Sequence, residues 1–124
     1  MAKYVHPGLP RPPTQDWGSK VGAGWGMMGN DKVGDCTCAA AGHLVMDWTA
    51  NTGKEVVPSS QQIVAAYSAI TGYNPVTGAH DQGAAESDVL KYWRATGIAD
   101  HKIMAFVALE PAPAVQLPRP FDAP

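Results

Sequence analysis

Hydrophobic positions are spaced for helices through the middle of the chain. Asp35 opens an apolar run of small residues. Ala39, Ala40, Leu44, Val45, Met46 and Trp48 then cover most of a helical circumference, which predicts a central buried helix from about Asp35 to Asn51, stopped by Gly53. Pro58-Ser59-Ser60-Gln61-Gln62 predicts a second helix. Ser59 and Gln62 are spaced as a capping box, Ile63, Val64, Tyr67 and Ile70 form an inward stripe, and Gly72 closes it. A third helix is expected from about Ala84 to Ala95, with Val89, Leu90 and Trp93 inward and Gly97 as its stop.

The pattern changes at Lys102. From Lys102 to Leu109 the residues are apolar on both faces of an extended chain, which predicts a strand buried in a sheet, although the chain supplies hardly any partner strand. The expected fold class is therefore α+β, mainly helical, with one orphan strand. Between Asp16 and Gly29 five glycines alternate with Trp25 and Met27-Met28, so little regular structure is expected before Asp35. Tyr73 to Gly83 reads as a long turn-rich loop of the kind that carries function.

Composition sets the boundaries. Nine of the eleven prolines lie in the end segments, so a domain over residues 16–110 is flanked by Pro-rich arms at 1–15 and 111–124. The anchors on the first arm are Tyr4, Val5 and Leu9, and Phe121 is the candidate binding residue on the second. A net charge of −2 without any Lys/Arg cluster argues against nucleic acid. Charged residues form 16% of the chain, below the roughly 25% of ordinary domains, which suggests surface covered by a partner. No apolar run reaches membrane-spanning length, and no signal peptide opens the sequence. The expectation is a soluble protein made in a reducing compartment, the cytoplasm. Cys36 and Cys38, two apart, point in different directions on either a helix or a strand and read as free thiols.

The candidate chemistry gathers at one place. Cys36 falls at the start of the predicted central helix, where free N–H groups and the helix dipole favour a thiolate. Asn30, six residues earlier, carries an amide able to donate to an oxyanion. His43 lies two turns along the helix, about 10 Å away. His80, in the long loop, is the better candidate base, and Asp81 beside it a candidate groove residue. None of the usual metal-ligand spacings is present, and no cofactor is expected. Trp17, Trp25, Trp48 and Trp93, with no basic residues interleaved, read as core and loop packing.

The order of these features resembles the first half of a papain-like cysteine peptidase. Asp16-Trp17, Asn30, Cys36 and Ala39-Ala40-Ala41 stand where that family has its Asp-Trp pair, oxyanion glutamine, nucleophile and small residues. Pro58-Ser59-Ser60-Gln61-Gln62, Gly78 to Gly83, Lys91-Tyr92-Trp93 and Gly97-Ile98 follow in the family's order. The Trp-Gly-Met-Met-Gly-Asn-Asp to Gly-Asp-Cys version also resembles uncharacterised papain-like proteins of bacteria and phages. Asn30 replaces a glutamine, Cys36-Thr37-Cys38 lacks the aromatic residue that follows the family's nucleophile, and only 88 residues (124 − 36) follow Cys36. The family's histidine and its Asn or Asp partner lie about 130–150 residues after the cysteine.

What the resemblance implies is a papain-like half-domain without catalysis of its own, a structural or binding component of a larger assembly. A phage capsid decoration protein is the natural setting, hence a virion location. Protein partners, a second copy or a capsid protein, would be met through the arms and the 102–109 strand, with Trp17 and Phe106 among the contacts. The alternative is a cysteine peptidase or amidase with Cys36 as nucleophile, Asn30 at the oxyanion, and the base from His80 or a partner chain.

Overall fold

The structure is a computed structural model that describes residues 13–108. Tyr4, Val5, Leu9 and Phe121, and with them nearly all of both arms, lie outside the described residues. The described chain is mainly helical: a short 3-10 turn at Gly18–Lys20, then α1 (Cys36–Asn51), α2 (Ser60–Thr71) and α3 (Glu86–Ala95). None of these helices is long and apolar enough to cross a membrane.

Local sequence explains where the helices begin and end. α2 starts on its expected capping box, with Gln62 N–H donating to Ser59 Oγ at 3.2 Å and Ser59 N–H to Gln62 Oε1 at 2.9 Å. It ends at Gly72, whose left-handed backbone (φ 78°) turns its N–H back to Ser68 O. Gly53 and Gly97 follow α1 and α3 with φ of 84° and 104°. α3 begins at Glu86, two residues later than the pattern suggests. Glu86 and Asp88 sit in its first turn and Arg94 in its last, each complementing the helix dipole.

The three helices pack against one another in every pairing, with α1 at the centre. Its Cys38, Ala39, Val45 and Met46 meet Ile63, Ala66 and Tyr67 of α2 and Val89 and Trp93 of α3 in one core. α1 passes closest to its neighbours at Gly42, where an added Cβ would lie 2.5 Å from Met28 Sδ and 2.8 Å from Ile63 Cδ1. The segment before α1 is strapped onto it by polar contacts. Asn51 Nδ2 donates to Trp17 O (3.0 Å), the Glu55 carboxylate accepts from Gly22 and Ala23 N–H (3.0 and 3.2 Å), and His43 Nε2 lies 2.9 Å from Trp25 O.

Three expectations are corrected. Residues 102–108 form no strand, and Met104 is 97% exposed. A strand is held by hydrogen bonds to a neighbouring strand, and the described residues offer only an isolated antiparallel bridge between Ile98 and His101. Leu109, the last residue of the expected strand, lies outside the described part. α1 is not buried all round: Cys36, Ala40, Leu44 and Trp48, at four-residue intervals, form an exposed stripe. Asp35, read as an N-cap, makes no capping hydrogen bond. Its backbone (φ −95°, ψ 22°) lies outside the extended region that aims a cap side chain at the first helical amides.

Candidate functional site

The loop into α1 is shaped by two residues with left-handed backbone, Met28 (φ 52°) and Gly29 (φ 102°). Met28 tolerates this conformation because its side chain is buried in the core. Gly29 has no substitute, since an added Cβ would lie 2.9 Å from both Asp35 Oδ2 and Val64 Cγ2. A tight turn follows, in which Asn30 N–H donates to Met27 O and Lys32 N–H to Gly29 O, both at 2.9 Å. Asn30 is exposed.

Asp35, directly before α1, is fully buried, and neither carboxylate oxygen has a hydrogen-bond partner among the described residues. Burial pushes its pKa up from 3.8 to about 6. The nearby charges of Asp81 and Asp31 add to the rise.

The long loop is clamped to this helix start. Asp81 Oδ1 accepts from Gly34 N–H and from Tyr67 O–H, each at 2.8 Å, and Tyr67 Oη accepts from Gly83 N–H at 2.9 Å. Thr37 Oγ1 adds a bond to Ala84 O. Burial and the bond to Asp81 raise the pKa of Tyr67, so it stays a phenol and a donor. Asp81, a candidate groove residue by sequence, thus has Oδ1 engaged in holding the loop.

Cys36 is exposed at the first residue of α1, but no hydrogen bond joins it to a histidine among the described residues. His43 turns toward the Trp25 and Gly26 carbonyls and meets the Trp25 ring edge-on at 5.5 Å. His80, exposed and left-handed (φ 63°), lines a cavity of about 220 Å³ whose walls do not include Cys36. His101 Nδ1 lies 2.6 Å from Ala99 O. Cys38 is buried and its pKa is pushed up to about 11 by burial, which makes it a packing residue. Among the described residues no group of His, Cys, Asp and Glu could hold a metal ion. Phe106 is half-buried under the Arg94 guanidinium, 5.5 Å from its ring centre.

The open side of α1 presents a second constellation. Trp17, Trp25, Leu44 and Trp48 are 56%, 42%, 41% and 49% exposed, which corrects the reading of the tryptophans as packing residues for all but the buried Trp93. Trp48 stacks on Trp93 (5.4 Å between centres), so its outer face is held rigidly toward solvent. Along this face lie two cavities, one of about 510 Å³ beside Trp25, Ala40 and Leu44, the other of about 300 Å³ between Trp17 and Trp48, and Asp47 lines both.

Sequence reasoning missed Tyr67 as a hub and Glu55 and Asn51 as straps. Tyr67 had a signal: a tyrosine in a buried helical stripe requires a partner for its hydroxyl. Compared with family models, curated proteins and solved structures, the chain matches none.

Proposed function

We propose that this chain is a non-catalytic, protein-binding component of a larger assembly, built on a papain-like half-domain and docking through the open face of α1. The observation that carries the reading is the row of Trp17, Trp25, Leu44 and Trp48 exposed along one side of a central helix. Apolar surface gathered in one place marks interaction sites, and tryptophan is among the residues most enriched where binding energy concentrates. The setting that the sequence resemblance suggests is a phage capsid, with this chain as a decoration protein. The test is capture of the native partner followed by radical footprinting. Trp17, Trp25 and Trp48 are expected to become protected in the complex while Trp93 stays unchanged, and Leu44→Glu is expected to lose the partner. A partner held equally by Leu44→Glu, with the three tryptophans still reactive, sinks the reading.

The second reading, a cysteine peptidase or amidase, is favoured by one observation, the exposed thiol of Cys36 at the first residue of a 16-residue helix. In it Cys36 attacks a carbonyl, Asn30 supports the oxyanion, and His80 or a partner chain supplies the base. Iodoacetamide at pH 6 separates the two. Alkylation of Cys36 at the slow rate of an ordinary thiol supports the non-catalytic reading, and rapid alkylation supports the enzyme.

A further inference from the structure

The open face of α1 has the parts of a groove for a proline-rich ligand. Proline-rich ligands dock on aromatic-lined grooves because their extended chain is preformed. Here Trp17, Trp25 and Trp48 supply the aromatic walls, and the groove runs along α1 from Ala40 to Trp48, about 12 Å at 1.5 Å per residue. Asp47, which lines both cavities, places one negative charge between them. One of its oxygens accepts from Asn51 Nδ2 at 3.3 Å, and among the described residues no Lys or Arg pairs with it.

The chain itself carries a segment of complementary chemistry. Residues 117–121 read Leu-Pro-Arg-Pro-Phe. Drawn out as a fully extended chain, Leu117 to Phe121 spans about 13 Å at about 3.3 Å per residue, and the alternate residues Leu117, Arg119 and Phe121 share one face. Its length matches the groove. Leu117 and Phe121 suit the two apolar cavities, and Arg119 between them suits Asp47.

The same tetrapeptide, Leu-Pro-Arg-Pro, occurs at residues 9–12, but there it is tethered within about 15 Å of Trp17, which is itself a wall of the groove. Leu117 is separated from Ala108 by residues 109–116, a reach of about 28 Å when extended, enough to extend to a neighbouring molecule.

We propose that the groove between Trp17, Trp25 and Trp48 receives the Leu117–Phe121 segment of a second copy of this chain, with Arg119 paired to Asp47. This rests on the docking reading above and names its partner. Because groove and segment are different surfaces, the contact is head-to-tail, and each molecule offers one of each.

The test is sedimentation velocity of the full chain from low micromolar to millimolar concentration. The wild type is expected to associate as concentration rises. Arg119→Glu and Asp47→Lys are each expected to weaken association by at least ~tenfold, and Arg11→Glu to leave it unchanged. Mixing the Arg119→Glu and Asp47→Lys proteins is expected to give a heterodimer, since one keeps the groove and the other the segment. That complementation also shows that both variants fold. A chain that stays monomeric at every concentration, or an Arg119→Glu variant that associates like wild type, overturns the proposal. If the chain stays monomeric while another protein still protects Trp17, Trp25 and Trp48, this inference fails and the docking reading stands. If no partner protects them, both fail.

Discussion

Asp35 is the residue whose surroundings fit its chemistry least, a carboxylate buried without a partner at the entry to the central helix. Its pKa of about 6 in the fold lies above its ordinary 3.8, so the stability tied to it is fully present below pH 3.8 and is lost as pH rises through 6. A rise of about 2 units corresponds to about 3 kcal/mol. Asp35→Asn removes the charge while keeping the shape. It is expected to stabilise the protein by about 1–3 kcal/mol at pH 7.5 and to give no gain at pH 4, read from urea unfolding at the two pH values. Equal effects at both would show that the carboxylate is not held uncharged by its burial. Gly29, pressed against that carboxylate, is the converse case. An alanine there meets Asp35 and Val64 at 2.9 Å with φ at 102°, so Gly29→Ala is expected to cost about 1–3 kcal/mol in the same assay.

Between elements, the loop from Tyr73 to Gly83 is tied to its neighbours through the Tyr67 phenol and the Asp81 carboxylate. Tyr67 donates to Asp81 and accepts from Gly83, and Asp81 in turn holds Gly34 beside the start of α1, so α2, the loop and α1 share a single network. Tyr67→Phe leaves the Gly83 N–H without its partner and Asp81 with one bond fewer. The expected cost is about 1–3 kcal/mol, with faster hydrogen exchange at the Gly83 and Gly34 amides. Exchange that is unchanged at both glycines would mean the loop is held by something else. The straps from Asn51, Glu55 and His43 act in the same way on the segment before α1, fixing Trp17 and Trp25 against the helix by backbone groups and leaving their indoles outward.

For the molecule as a whole, three helices close the core on one side of α1 and leave the other open. Within residues 102–108, Ile103 packs against the core, while Met104 and Val107 do not. Met104 and Val107 are 97% and 54% exposed, so Met104→Lys and Val107→Lys are each expected to change stability by no more than about 0.5 kcal/mol in thermal melts. A buried strand would lose several times that, so a large loss would restore the reading of this segment as part of a sheet. The surface that defines the molecule is the aromatic face of α1.

Local chemistry was enough to place the helices. The capping box of Ser59 and Gln62, the stops at Gly53, Gly72 and Gly97, and the helical spacing of apolar residues each act within a few residues, so they are legible without a fold. The same holds for Cys36 at a helix start. Tertiary structure decided which apolar residues are covered. Leu44 and Val45 are adjacent and equally greasy, yet one is 41% exposed and the other 1%, because α2, α3 and Met28 occupy only one side of α1. It also decided that Asp35 is buried, that Asp81 bonds to Gly34 across 47 residues, and that residues 102–108 lack a partner strand. Each depends on contacts between distant parts of the chain, and hydrophobic pattern alone carries no record of which neighbour arrives.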